Sequence, residues 1–264
     1  GISDLLGLLA LFGDADMDSD GVWDSEDDCI DETACNYSAN PTEPCYSLDL
    51  VGVCGGICNE DADGDGICDF ECGEDLAFYD DYGYSTVQIG QQCWFSENCR
   101  YLPEVSPSSE GSETDPYYYV YDYEGTDVGA AQATDNYATY GVLYNWPAVM
   151  TEGICPSGWH IPSDGEFTQL TDFLGGASVA GEQMKSTSGW YNNGNGSNSS
   201  GFDGRPGGFA SFGFYDFVYY AYLWSSSYEG SSYVWNRGLP SDFDDVTRNV
   251  HLSSRGLSAR CLQD

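Results

Sequence analysis

Basic residues are nearly absent from this chain: seven Lys and Arg, with Lys185 the single lysine, stand against 44 Asp and Glu, for a formal charge of -37. That imbalance repels nucleic acid and anionic membrane surfaces, and it demands cations, divalent metal above all, as counter-charge. Histidine is scarce too, two in all. Zinc would therefore have to be held by thiolates alone, and the paired Cys-x-x-Cys knuckles of such sites are missing. No run approaches the ~20 apolar residues of a membrane-spanning helix. Ile2 to Phe12 is apolar but only eleven residues long, without a basic flank or an initiator Met. It is not a secretory signal as it stands, so the chain is expected to begin at a processed or fragment end.

What the chain does have is cysteine, eleven in all, seven of them between Cys29 and Cys72. So many without zinc chemistry point to disulfides in an oxidising, extracellular or cell-surface setting. Seven cannot all pair among themselves. One is left for an intermolecular bridge, a free thiol or a bond into the C-terminal part. At 264 residues the chain has room for one large domain or two modest ones.

Three regions follow in order. Residues 1–13 carry Leu5, Leu6, Leu8, Leu9 and Phe12 at helical spacing and end at Gly13, which predicts a short apolar helix, either a packing element or a connector docking on a second copy. Residues 14–78 hold two acidic loops. Counted from Asp16, acids fall at positions 1, 3, 5, 9 and 12 (Asp16, Asp18, Asp20, Asp24, Asp27), Gly21 makes the turn at position 6 and Val22 offers its carbonyl at 7. The turn wraps alternate oxygens around one point, and hard oxygen donors suit Ca²⁺. The second loop repeats this with Asp61, Asp63, Asp65, Ile67 and Asp69, but position 12 is Cys72, so Glu71 is expected to substitute.

From residue 79 the composition turns to Gly, Ser, Tyr and Trp in short alternating runs. Val87 to Phe95 predicts a strand-turn-strand, and Cys93 and Cys99 lie close enough in sequence to bridge locally. Tyr117 to Tyr123, Tyr222 to Ser227, Tyr233 to Trp235, Asn249 to Leu252 and Ala259 to Leu262 read as short strands, and Tyr140 to Trp146 as a buried segment. Ser163 with Glu166 three residues on forms a capping box for a helix over 164–174, with Phe167, Leu170, Phe173 and Leu174 inward. Just before it, Cys155-Pro-Ser-Gly-Trp-His-Ile-Pro162 couples a cysteine to a turn, and its expected partner is Cys261. Trp190, Tyr191, Asn192, Asn193, Asn195 and Asn198 form the leading ligand-contact candidate; a glycine-rich loop packed on itself accounts for them equally.

The two acidic loops, each running into a cysteine, resemble thrombospondin type 3 repeats over residues 14–29 and 61–72; in that family ions and disulfides replace a core. Gln88 to Asn98, Tyr140 to Trp146, Cys155 to Pro162, Leu223-Trp-Ser-Ser226 and Ala259-Arg-Cys261 resemble the Fibrobacter succinogenes major paralogous domain. That family is similar to the formylglycine-generating-enzyme and C-type-lectin-like folds. The resemblance implies an α+β, C-type-lectin-like domain over 79–264, with short twisted strands, few helices and long loops, preceded by a calcium- and disulfide-stabilised irregular stalk. Two functions compete. One is a non-enzymatic, calcium-binding surface protein that self-associates through its N-terminal segment, or binds carbohydrate or another protein. The other is an oxidase needing a redox-active cysteine pair, for which no cofactor beyond calcium is indicated. Trp235-Asn236-Arg237 resembles the Trp-Asn-Asp of calcium-dependent lectins, but Arg237 in place of the acid argues against that metal site.

Overall fold

The computed structural model describes residues 72–73, 76–79, 82–151, 153–230 and 232–264. The chain divides between Glu71 and Cys72. The expected helix over 1–13 and every expected calcium ligand from Asp16 to Glu71 lie outside the described residues. Among those described, no helix is long and apolar enough to cross a membrane.

The second unit is α+β, with small antiparallel sheets and five helices among the described residues. In chain order come β1 (Ala77–Tyr79), β2 (Tyr82–Tyr84), β3 (Thr86–Ile89), β4 (Gln92–Phe95) and β5 (Tyr118–Tyr119), then α1 (Val128–Gln132) and α2 (Asp135–Tyr140). They are followed by β6 (Leu143–Tyr144), α3 (Trp146–Val149), β7 (Trp159–His160), α4 (Asp164–Phe173) and α5 (Ala177–Met184). The last part is all strand: β8 (Phe209–Ala210), β9 (Phe214–Tyr215), β10 (Tyr220–Tyr228), β11 (Tyr233–Pro240), β12 (Thr247–Leu252) and β13 (Leu262–Gln263). The largest sheets are β10-β11-β12 and β3-β4-β13-β7.

The order of the second sheet matters most. β13, at the end of the chain, lies between β4 and β7, with Leu262 opposite both Trp94 and His160. Three cysteines thereby meet: Cys99 follows β4, Cys155 precedes β7 and Cys261 adjoins β13. Cys155 bonds Cys261 across a sequence separation of 106. Cys93 bonds Cys72, not Cys99, which corrects the local pairing expected from their spacing. The reason is geometric. Cys93 lies within β4, whereas Cys99, beyond the strand end, donates its amide to the carbonyl of Ala259 and turns its thiol toward Cys261.

α4 starts where its capping box requires. Ser163 Oγ accepts from the Glu166 amide and the Glu166 carboxylate accepts from the Ser163 amide, each closing a donor left open at a helix start. Phe167 and Leu170 are fully buried, each worth about 2–3 kcal/mol by area. Phe173 is not inward as expected but 64% exposed. It sits off the buried stripe and covers Gly90, where a Cβ would approach its ring at 2.9 Å. The core around α4 joins Trp94, Leu223 and Leu239 from both large sheets, and Phe202 from the loop after α5, to Met184 of α5. Tyr140 to Trp146 enters the interior as expected. Asn145 there is fully buried and satisfied, capping α3, accepting from the Tyr117 amide and donating to the carbonyls of Ser112 and Asp115.

Candidate functional site

The loop from Ser186 to Arg205 carries all six of the expected contact residues, and the fold sorts them into two groups. Trp190 belongs to the core: its side chain is buried, and Nε1 donates to Ser186 Oγ at 2.9 Å. Asn195 accepts from the Trp190 amide, and Asn198 accepts from the Asp203 amide at 2.7 Å. Trp190 is thus an interior residue, while Asn195 and Asn198, both half-buried, brace the loop and Asn198 also lines the cleft described below. Asn192, Asn193 and Asn198 all take positive φ, at 49°, 63° and 52°. Asparagine tolerates that region better than other residues with a Cβ, so part of the Asn-rich composition serves the backbone.

Tyr191, Asn192 and Asn193 remain exposed. Tyr191 stacks on Tyr219, centroids 4.3 Å apart and planes 29° off parallel, and the two are 48% and 41% exposed. The platform is held from below. Tyr191 donates its amide to the carbonyl of Val218 at 2.8 Å. Gly194 passes so close to Ser241 that a Cβ would lie 2.0 Å from its carbonyl oxygen, so no larger residue fits there. Lys185, the lone lysine, is buried beneath the same region and donates to the carbonyls of Phe243 at 2.9 Å and Pro240 at 3.3 Å. Burial pulls its pKa down, opposed chiefly by the Asp244 carboxylate.

The other end of the loop lines a polar cleft of about 340 Å³ with the segments 96–100 and 138–141. Its charges come paired: Arg100 with Glu97 at 3.0 Å and Arg205 with Asp203 at 2.8 Å. Partly exposed pairs of this kind contribute under about 1 kcal/mol each to stability. The pairing leaves the cleft walls polar and locally charge-balanced. Behind the cleft Arg260 is completely buried, donating to Asn98 Oδ1 at 3.2 Å, the carbonyl of Asp203 at 2.8 Å and the carbonyl of Phe202, with Phe202 also under its guanidinium at 4.0 Å. Burial draws its pKa down to about 10.

The histidines and the lectin-like tripeptide are committed to structure. His160 is held between Asp264 at 2.6 Å and Glu166 at 3.0 Å. Arg237 is buried and donates to Asp164 at 2.7 Å, while Arg248 lies over the Trp235 ring at 3.5 Å and bonds the same carboxylate. His251 contacts Arg255, and burial followed by that neighbouring charge pushes its pKa down to about 4.

This predicts a two-stage acid response. The folded-state value of His251 lies below its ordinary 6.5, so the unfolded chain binds the extra proton first, and stability should fall as pH drops from 6.5 to about 4. Asp164 and Glu166 form the second stage. Burial raises each, but Arg248 and Arg237 on Asp164, and Ser163 and His160 on Glu166, outweigh it and hold both low. Their contribution is present above the ordinary carboxylate range and lost as pH falls through the lowered values. Urea midpoints measured from pH 7 to 3 should show both stages, and His251→Gln should flatten the first alone.

Sequence reasoning missed Tyr219 as the partner of Tyr191, the paired charges of the cleft and the buried Arg260. The two charge pairs, Glu97-x-x-Arg100 and Asp203-x-Arg205, carried a local signal; the partners of Tyr191 and Arg260 lie too far apart along the chain. No curated protein and no solved structure matches the chain. A family model, the Fibrobacter succinogenes major domain, matches residues 87–263. That span exceeds half of the 264 residues and includes β4, β7 and β13 with the three converging cysteines, so the chain belongs to the Fibrobacter succinogenes major domain family.

Proposed function

We propose that this is a non-enzymatic, extracellular surface protein of structural or adhesive type, whose C-terminal C-type-lectin-like unit contacts carbohydrate and whose N-terminal third is organised by calcium. The observation that carries the reading is the exposed Tyr191–Tyr219 stack, followed along the chain by the exposed Asn192 and Asn193. The stack offers an outer ring face for the C–H side of a sugar, the amides supply donors and acceptors for hydroxyls, and the clamped loop lowers the ordering cost of contact. The charge-paired cleft at the far end of the loop fits the same ligand chemistry. The oxidase reading would need Cys155 and Cys261 as its redox pair, and the two are joined in a bridge with Cα atoms 5.8 Å apart.

Binding of neutral oligosaccharides, screened on an array and followed by calorimetry, tests the reading. Tyr191→Ala with Tyr219→Ala should weaken binding at least tenfold while moving the urea midpoint little, since both rings lie outside the core with close to half of their surface exposed. Unchanged affinity would remove the platform from the site.

The calcium proposal rests on Asp16, Asp18, Asp20, Val22, Asp24 and Asp27, and on Asp61, Asp63, Asp65, Ile67, Asp69 and Glu71. Chelator should sharply accelerate proteolysis between Asp14 and Cys72, and Asp20→Ala should do the same around its own loop; an unchanged cleavage pattern would refute it. Self-association into a filament or other surface assembly is proposed through Ile2 to Phe12, whose apolar side chains require cover. Deleting residues 1–13 should abolish assembly seen by electron microscopy, and assembly that survives the deletion would reject that role.

A further inference from the structure

Cys99 is buried and carries no disulfide. Its Sγ lies 3.5 Å from Sγ of Cys261, which is itself bonded to Cys155. Cys99 and Cys261 are fully buried, whereas Cys155 is partly exposed. The middle sulfur thus touches a thiol on its inner side and shares a bond with the outermost one. A buried free thiol alone would be a small apolar filler. A thiol in contact with a disulfide has a reaction open to it.

We propose that Cys99, Cys261 and Cys155 form an internal thiol–disulfide exchange relay that makes Cys155 a latent covalent attachment point for a disulfide-bearing partner. Local opening admits solvent base, which takes the Cys99 proton, and the thiolate attacks Sγ of Cys261. The Cys99–Cys261 bond forms as the Cys155–Cys261 bond breaks, and the electron pair leaves on Sγ of Cys155, which takes up a proton. One bond replaces another, with no oxidant or reductant consumed. The partly exposed Cys155, as thiolate, then attacks a disulfide of the partner, forming a mixed disulfide and releasing the partner's second sulfur as a thiol. In an oxidising setting such partners are available, and attachment through Cys155 is independent of any sugar contact.

The environment sets the rate. Burial pushes the Cys99 thiol up to about 12, with Arg260 pulling the other way and Glu97, Tyr84 and Tyr144 also facing it. Thiolate is therefore rare near neutral pH, and exchange is slow but quickens about tenfold per pH unit. Holding the two sulfurs in contact offsets part of this by proximity.

The test uses the native full chain with glutathione disulfide as the probe, followed by acid quench and peptide mapping without reduction. The expected result is a glutathionyl adduct on Cys155 together with a Cys99–Cys261 linked peptide, forming roughly 100-fold faster at pH 9.5 than at pH 7.5. Cys99→Ala should abolish the adduct. An adduct on Cys99, an adduct on Cys155 that persists in Cys99→Ala, or no adduct before unfolding would overturn the proposal. Cys155→Ser gives an independent reading: its oxidised, folded form should contain a Cys99–Cys261 bridge, and two free thiols there would also overturn it.

Discussion

Replacing Arg260 with alanine is expected to lower the free energy of unfolding by about 3–5 kcal/mol. The guanidinium is completely buried and serves four acceptors from two parts of the chain: the carbonyl of Phe95 and the side chain of Asn98, and the carbonyls of Phe202 and Asp203. Its removal leaves those oxygens without donors in the interior, at about 1–3 kcal/mol for each one that water does not reach. It also empties the space over the Phe202 ring. The charge itself is costly to bury, as the pKa drawn down to about 10 indicates, and relief of that cost keeps the loss from being larger. Arg260→Lys should rescue little, because one ammonium cannot reproduce a planar fork spread over separated carbonyls. The check is a urea titration with unchanged m-value. A loss below about 1 kcal/mol would show that water satisfies these groups. Because Asp203 and Asn98 also line the polar cleft, the variant should additionally weaken any ligand held there.

The second large effect is expected at Cys261. Cys261→Ala removes the bridge to Cys155 and with it a constraint spanning a sequence separation of 106. Loop-closure entropy for about 100 residues corresponds to ~4.7 kcal/mol, and measured losses for native bridges run about 2–5 kcal/mol. Cys155→Ser breaks the same bond but should cost clearly less. Cys99 stands 3.5 Å from Cys261 and can close an alternative bridge from β4 to the end of the chain. Equal losses in the two variants would mean that Cys99 cannot substitute, and a smaller loss for Cys261→Ala than for Cys155→Ser would contradict the bridge as a stabilising element. Cys93→Ala is a useful contrast. Its bond to Cys72 spans a separation of only 21, so a smaller loss of about 3 kcal/mol is expected from the same entropy argument.

Both effects depend on contacts that no local pattern announces, and the division between legible and hidden follows sequence distance. The start of α4 was legible because a capping box is complete within four residues, Ser163 to Glu166. The β3-β4 hairpin was legible from alternation around a Gly turn, with Gly90 at φ 65°. An oxidising setting is the expectation from cysteine count, whereas the α+β class came from the resemblance to the major paralogous domain and not from local patterning. α5 was missed, since Gly175 and Gly176 read as a stop, yet a second helix begins directly after them, without a side-chain cap. Trp190 and Tyr191 are adjacent in sequence and alike in type. One is core and one is surface because the Tyr191 amide bonds Val218 and turns the chain there.

Composition and short-range spacing by themselves determined the acidic, disulfide-bonded character of the protein, the position of its best helix and the two acidic loops proposed to hold calcium. Tertiary structure decided which cysteines meet, which aromatics are presented and which charges are already spent. The physical reason is that a cap or a turn is closed by neighbours within a few residues. The Cys155–Cys261 bridge, the Arg260 cage and the Tyr191–Tyr219 stack join residues about 30 to 160 apart, and their partners are fixed only when β13 inserts between β4 and β7 and the loop from Ser186 folds against the core.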